Sequence, residues 1–357
     1  MHMLHSVLPK PDVLIAGAGI IGLSLALELD ARGAKVVVLE RDTALAHASS
    51  RAAGMLAQND PHNRPELGSL SALSIQLYPD FLARIKKLGD AEVPLHTTHA
   101  LQALDDKRVT SLDPLSAEEL RGHAPFLAPG DLQFGRLLEH SLDPRELCAA
   151  LLLAVRASGV VLHEGTTFES VAEREAGGLC VKTSRGDISP GKMIHTQGPW
   201  AGAPVRPVKG QMLLVKLPPS LPLREVVRGA GIYIVPRTSG ERAGCAVIGA
   251  SVEHAGFDEQ TNAATEASLR ARAALLLPAL GDAATAPTIS TWAGLRPGTP
   301  DDLPLLGSLA AEHQFIAAGH YRNGILLAPA TARVMADVVE GKSPELSLQA
   351  FAPARFS

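Results

Sequence analysis

Apolar positions along the chain follow two periods, and the change between them marks out the elements. Val13-Leu-Ile-Ala16 is an unbroken apolar run, the pattern of a strand buried on both faces. Good helix formers follow from Ile20 to Arg32, with Gly33 as a stop. A second apolar run, Lys35-Val-Val-Val-Leu-Glu40, completes a βαβ unit and ends on an acid. Helical spacing returns from Glu66 to Lys87, where Leu67, Leu70, Leu73, Leu77, Phe81 and Ile85 fall on one face. Ala100 to Leu104 reads as a strand. Ser116 and Glu119 make a capping box for a short helix, and Asp143-Pro144-Arg-Glu146 opens another that runs to Ser158, with Asp143 read as a cap alone. Val160 to Leu162, Phe168 to Ala172 and Leu179 to Thr183 read as strands, the last two joined as a hairpin around Gly177-Gly178. Met193 to Gly198 reads as a strand returning to the first sheet.

The texture changes from Pro204. Gln211 to Leu217, Gly231 to Pro236 and Cys245 to Ser251 are short strand patterns separated by Pro and Gly, which predict an antiparallel sheet in a second domain. Helices are predicted from Thr265 to Leu277 and from about Leu327 to Glu340, and the chain between them is punctuated by Gly and Pro from Trp292 to Pro300 and from Phe315 to Ile325.

The first turn carries chemistry. Gly17, Gly19 and Gly22 have the spacing G-x-G-x-x-G between a strand and a helix. Gly17 permits the tight turn, Gly19 admits a pyrophosphate to the backbone, and Gly22 lets helix and strand approach. The helix N-terminus offers N–H groups and the positive end of its dipole. Glu40 follows where a ribose-binding carboxylate is expected, and an acid there disfavours a 2′-phosphate. The loop from Ala46 through His47, Ala48 and on to Ala57 reads as a flexible surface loop or as a ligand contact; Ala52 to Ala57 is too apolar to stay solvated, and its small residues let backbone lie against a ligand, which favours the second.

Composition narrows the field. The chain has 357 residues, enough for two domains, with 46% hydrophobic and 20% charged residues and a net charge of −4. The lack of a basic block argues against nucleic acid. The longest uncharged run, Val13 to Leu27, is shorter than the roughly twenty residues of a membrane span. Met1 to His5 lacks the features of a signal peptide, the final Arg-Phe-Ser is no peroxisomal address, and Cys148, Cys180 and Cys245 read as buried thiols. No membrane contact and a cytoplasmic location are expected.

Several motifs recur in one order: the glycine fingerprint, Ser49-Ser-Arg-Ala-Ala-Gly-Met-Leu-Ala57, Pro207-Val-Lys-Gly-Gln211, Tyr233-Ile-Val-Pro-Arg237, Gly294-Leu-Arg-Pro-Gly-Thr299 and Gly319-His-Tyr-Arg-Asn-Gly-Ile-Leu-Leu-Ala-Pro-Ala-Thr331. Together they resemble the FAD-dependent D-amino-acid oxidase superfamily, and within it the glycine oxidases of thiamine biosynthesis. The resemblance implies an α/β fold: a glutathione-reductase-like FAD-binding domain (1–90, 145–203 and 300–357) interleaved with an α+β substrate domain on a mixed or antiparallel sheet (91–144 and 204–299).

The resemblance also implies roles. Ile20, Ile21, Leu39 and Glu40 would line the adenosine and pyrophosphate site, with His47 and Ala48 nearby. Ala52, Ala53 and Gly54 would pass the flavin, Val171 would hold the adenine, and His320, Tyr321, Arg322, Asn323, Gly324, Ile325 and Leu326 would run along the isoalloxazine. Arg296 would bind the substrate carboxylate, with Tyr233 and Arg322 beside the substrate. The implied reaction is oxidation of glycine, sarcosine or small D-amino acids by O2, giving glyoxylate, ammonia and hydrogen peroxide from glycine. A homotetramer is what the family suggests. The family's covalent flavoproteins use a cysteine in the C-terminal half; this chain has none after Cys245, so non-covalent FAD is expected. Thr196-Gln-Gly-Pro-Trp200 departs from the usual pattern, and Gln197 and Pro199 bear on the local flavin packing.

The residues themselves leave alternatives. Arg296, flanked by Gly294, Pro297 and Gly298, is expected on a stiff turn, as a bidentate carboxylate clamp or as half of a surface salt bridge. By type alone Tyr233 reads as core or rim and His320 as a buried, satisfied histidine. A helix starting near Gly324 would aim its positive end at the negative charge of a reduced flavin. Two other functions fit the first motif: a D-amino-acid dehydrogenase with another electron acceptor, and a non-catalytic dinucleotide-binding protein.

Overall fold

In the computed structural model, which describes residues 10–104, 112–173 and 178–356, the opening βαβ unit forms as its pattern requires. Val13–Ala16 and Val36–Leu39 are wholly buried parallel strands, joined by the helix Ile20–Ala31. That helix is buried almost all round, so it lies inside a layer rather than on a surface. Lys192–His195 pairs parallel with Val13–Ala16 on its other side, so the strand predicted there does return to this sheet. The six-stranded sheet runs in the order Leu305–Ser308, Gln314–Ala318, Lys192–His195, Val13–Ala16, Val36–Leu39, Val161–His163. Only its outermost pair, Leu305–Ser308 with Gln314–Ala318, is antiparallel. The long helices Gly68–Gly89, Pro144–Arg156 and Gly324–Glu340 join Ile20–Ala31 in one apolar core against it.

A second, eight-stranded sheet follows the order Thr288–Gly298, Arg206–Lys216, Cys245–Gly249, Ile232–Arg237, Val226–Gly229, Leu95–Ala103, Phe134–Leu142, Met55–Leu56. It is antiparallel except where Val226–Gly229 runs parallel to Leu95–Ala103. The helix Ala263–Leu276 packs against its back. Three short strands, Phe168–Glu173, Leu179–Thr183 and Gly186–Ile188, form a separate small sheet.

Both capping predictions hold. Ser116 Oγ accepts from the Glu119 N–H at 3.2 Å and the Glu119 carboxylate accepts from the Ser116 N–H at 2.8 Å. Asp143 caps Arg145 at 2.9 Å but does more than cap: its carboxylate also meets Arg242 at 2.7 Å and Arg237 at 3.5 Å. The long helix begins at Gly68, because Pro65–Leu67 forms a separate tight turn first. Phe134–Leu142, Met55–Leu56 and Val226–Gly229 were not predicted as strands; the first buries Glu139 and Ser141 and the last buries Arg228, polar residues that break an apolar strand pattern. Cys148 and Cys245 are buried, whereas Cys180 is half-buried on the outer face of its strand and so departs from expectation. Met1 to His5, Gly177 and Ser357 lie outside the described residues. Among the described residues no helix is long and apolar enough to cross a membrane.

Candidate active site

The glycine turn is shaped for close approach. Gly17 adopts φ +106°, and a Cβ there would lie 2.6 Å from the Thr196 carbonyl oxygen. A Cβ on Gly22 would collide with the Gly17 carbonyl. Thr196 Oγ1 sits 2.9 and 2.8 Å from the carbonyl oxygens of Ala16 and Gly17, which ties the strand end Lys192–His195 to the turn. The helix behind it has no acid in its first turn and no cap from its own N-cap residue, Gly19; only Ser49 Oγ reaches the Ile20 N–H, at 2.9 Å. The remaining amides face outward at the positive end of the helix. Glu40 holds the loop together: its oxygens accept from the Ala18 N–H at 2.9 Å and the Asp42 N–H at 3.0 Å. Each carboxylate oxygen keeps a further lone pair for a ribose hydroxyl. This cradle fits a dinucleotide diphosphate.

A cavity of about 550 Å³ opens from the cradle toward the eight-stranded sheet. Of the residues singled out from the sequence, Gly19, Ile20 and Ile21 line it at the helix start, and Ala48, Ala52, Ala53 and Gly54 line it along the loop. His320 to Ile325 close the third side. Tyr233 and Arg296 face it from the sheet. Gly17, Gly22, Leu39 and Glu40 stand behind the wall. Leu326 is core, its carbonyl accepting from Ser74 Oγ at 2.6 Å. Val171 is packed at the edge of a separate apolar cluster that contains Leu39. His47 is turned away, 2.9 Å from Asp42 and with its ring 4.8 Å from that of Trp200. The variant segment resolves simply: Thr196 and Gly198 line the cavity, Gln197 bonds His195 at 3.1 Å, and Pro199 is buried in a short turn.

The helix Gly324–Glu340 starts at the cavity with no side-chain cap and no acid in its first turn. Its first amides therefore face the space where a flavin ring would lie. Tyr321 is held at φ +47° by its N–H bonding to the Pro297 carbonyl at 2.8 Å, a left-handed conformation that locks this loop to the strand bearing Arg296. Asn323 reaches Asn63 Oδ1 at 3.1 Å. His320 is 2% exposed and bonded to Thr331 at 3.1 Å; burial lowers its pKa to about 3, so the ring is neutral.

Arg296 is not on a turn. It belongs to the strand Thr288–Gly298, opposite Val208, because a continuous ladder with Arg206–Lys216 outweighs the local Gly and Pro signals. Its guanidinium contacts two carbonyl oxygens, Ser251 at 3.2 Å and Lys209 at 3.4 Å, and the Tyr233 hydroxyl. No carboxylate pairs with Arg296 or Arg322 among the described residues. Arg322 instead lies over the Tyr321 ring at 5.1 Å. Gly210 makes room for Arg296: a Cβ there would fall on the guanidinium. Tyr233 donates to Met212 Sδ at 3.1 Å. Burial raises its pKa against the pull of Arg296, Arg322 and Arg237, so the phenol stays protonated.

Sequence reasoning missed one group. Arg228, 5% exposed, lines the cavity beside Tyr233. It forms a fork with Glu139 at 3.0 and 2.8 Å, and its Nε donates to Gln102 at 2.8 Å. Asp60 joins the wall from the loop after Met55–Leu56, 3.7 Å from Arg228. An arginine inside the apolar run Val226-Val-Arg-Gly229 was the available signal, since a buried guanidinium needs a buried partner.

A mostly parallel sheet with a glycine cradle, opening on a cavity with two helix N-termini and two arginines, Arg296 and Arg322, unpaired among the described residues, defines a dinucleotide-dependent oxidoreductase. Residues 12–338 match the DAO family of FAD dependent oxidoreductases, and the chain belongs to that family, with FAD as its cofactor. The chain is similar to the bifunctional protein ThiO/ThiG of Synechocystis sp., at 35% identity over 97% of this chain and 54% of that protein. It thus spans about half the length of such bifunctional relatives. It is 33% identical to the glycine oxidase of Pseudomonas aeruginosa, over 96% of this chain and 98% of that one. The crystal structure of glycine oxidase from Geobacillus kaustophilus superposes with a TM-score of 0.88 at 29% identity, covering 96% of this chain and 98% of the other.

Proposed function

We propose that the protein oxidises glycine, and more slowly sarcosine and small D-amino acids, with O2 as acceptor. Glycine, O2 and water become glyoxylate, ammonia and hydrogen peroxide, a reaction that would serve thiazole formation in thiamine biosynthesis. The observation that carries this reading is the Arg296 guanidinium, which faces the cavity with no acid partner among the described residues and with Gly210 clearing its place. A planar guanidinium in that state is a receptor for a carboxylate. The relatives named glycine oxidase support the same choice.

Bound FAD supplies the two-electron acceptor. Arg296 fixes the substrate carboxylate, and the neutral, protonated Tyr233 can donate a hydrogen bond to it. Fixing the carboxylate orients Cα, and that orientation is the main catalytic contribution of these side chains. The unfilled amides at Gly324 and Ile325 stabilise negative charge at that side of the cavity. His320 is no base, because it is buried and engaged with Thr331. The expected domain division belongs to the same proposal: 1–90, 145–203 and 300–357 hold the nucleotide, 91–144 and 204–299 the substrate. The strand Met55–Leu56 crosses that boundary by pairing in the eight-stranded sheet.

The test is anaerobic titration of the yellow holoprotein with glycine, sarcosine, D-alanine and D-proline, followed by peroxide assay in air. Bleaching by glycine with peroxide formation is expected. A protein that takes up no FAD, or whose flavin no amino acid bleaches, would end the proposal.

A further inference from the structure

The substrate side of the cavity has two ends of opposite character. Along the eight-stranded sheet, Met212, Gly249, Tyr233, Arg228 and Gln102 are successive cross-strand partners, one from each adjacent strand. They form a single row on the face that lines the cavity. Arg296 stands toward the Met212 end, its guanidinium against Ser251 just beyond Cys245–Gly249. Arg228 lies two strands further along, and its side chain leans away from Tyr233 toward Gln102 and Glu139. Two strand spacings are about 10 Å.

Charge differs between the ends as well. Arg228 is shared between two acids, the fork from Glu139 and Asp60 at 3.7 Å, so this group holds one carboxyl more than it has guanidinium. Asp60 is then the one carboxylate among the described residues lining the cavity. Its Oδ1 accepts from the backbone N–H and the Nδ1 of His62, each at 2.9 Å. Its Oδ2 has Arg228 Nη1 as its nearest charged neighbour at 3.7 Å, beyond hydrogen-bond reach, so this oxygen keeps its acceptor capacity. Burial alone would raise the carboxyl, but His62 and Arg228 outweigh it and hold the pKa at about 2, so Asp60 is ionised at neutral pH.

We propose that Asp60 makes this end of the cavity a cation-recognising subsite, so that the enzyme also accepts diamino acids whose distal amine sits about four bonds beyond Cα, and disfavours those ending in a second carboxylate. The inference rests on the reading of Arg296 as the carboxylate anchor. Glycine spans only the Arg296 end. An arm of about four bonds adds about 5 Å when extended, and with a hydrogen bond of about 2.9 Å at each end of the ligand it covers the span of about 10 Å to Asp60. D-ornithine has this shape, and D-glutamate presents the wrong charge at the same distance.

Ligands without an α-amine test the subsite without turnover. The holoenzyme is titrated with 5-aminopentanoate, hexanoate and glutarate, following the visible spectrum of the bound flavin. The expected order is 5-aminopentanoate, then hexanoate, then glutarate, with at least about a tenfold span between the ends, since a like-charge contact replaces an opposite-charge one. In Asp60→Asn the span should shrink to about threefold or less. Glutarate binding as tightly as 5-aminopentanoate, an unchanged order in the variant, or no spectral response to any of the three would overturn the proposal. The wild-type order needs no variant, so misfolding of Asp60→Asn leaves the test intact. Glycine turnover is read separately: if glycine is not oxidised but the ligand order holds, the oxidase reading fails and the subsite stands.

Discussion

Removing the Arg296 guanidinium isolates the carboxylate contact. In the folded protein this side chain contacts two carbonyl oxygens, at 3.2 and 3.4 Å, and the Tyr233 hydroxyl, and makes no ion pair among the described residues. Arg296→Ala therefore leaves no buried charge stranded, and its effect on folding should be small. The whole loss should fall on the substrate, whose carboxylate would enter the cavity without its partner. Truncating one member of a hydrogen-bonded charge pair costs about 2–5 kcal/mol. At about 1.4 kcal/mol per tenfold, kcat/KM for glycine should fall by roughly thirty-fold to a few thousand-fold. Arg296→Lys keeps the charge but loses the planar fork, so it should fall between the wild type and the alanine variant. The assay is oxygen uptake against glycine concentration, with flavin content read from the visible spectrum and folding from thermal denaturation. An Arg296→Ala enzyme with full flavin and unchanged kcat/KM would refute the carboxylate assignment.

Gly210→Ala places a methyl group where the guanidinium lies. Because that guanidinium ends a flexible side chain, it should move rather than unfold the sheet, raising KM for glycine at nearly constant Tm; an unchanged KM would show that Arg296 does not need that position. Glu139→Gln takes from the buried Arg228 its hydrogen-bonded counter-charge, leaving only Asp60 at 3.7 Å, and should destabilise the protein by up to about 3–5 kcal/mol in urea denaturation, with the double variant Arg228→Met, Glu139→Leu recovering much of the loss. His320 titrates near 3 when folded and near 6.5 when unfolded, so below pH 6.5 the unfolded chain takes up the proton first. Stability should fall as pH drops, by about 2 kcal/mol between pH 6.5 and pH 5, and His320→Gln should lose that share of the slope in the pH dependence of stability. An identical slope in the variant would contradict the buried, neutral ring.

The two halves of the site were unequally legible in the sequence, and the reason is the range of the interactions that build them. The nucleotide cradle is local. Gly17 and Gly22 are demanded by a backbone turn within a few residues of each other, and the strands and helix flanking them are set by their own apolar runs. Such a pattern can be read directly, and only the anchoring of the turn by Thr196 lay beyond it. The substrate wall is built across strands. Arg296 takes its position from Gly210 on a neighbouring strand, and the Gly294, Pro297 and Gly298 around it signal a turn that pairing with Arg206–Lys216 overrides. Arg228 finds Glu139 two strands away, with Gln102 between them, and Asp60 arrives from a loop far earlier in the chain. None of these partners shares a local period with the others, so each reads alone as an ordinary charged residue. The same division has a chemical consequence. The cradle is constrained by backbone fit, where a side chain at Gly17 or Gly22 collides with the chain itself. The far end of the cavity is defined by side-chain charge on a sheet that tolerates exchange at one position while its ladder persists. Asp60 reaches that end from a loop that no ladder constrains, so selectivity among amino acids can change there while the carboxylate anchor and the flavin-facing loop stay as they are.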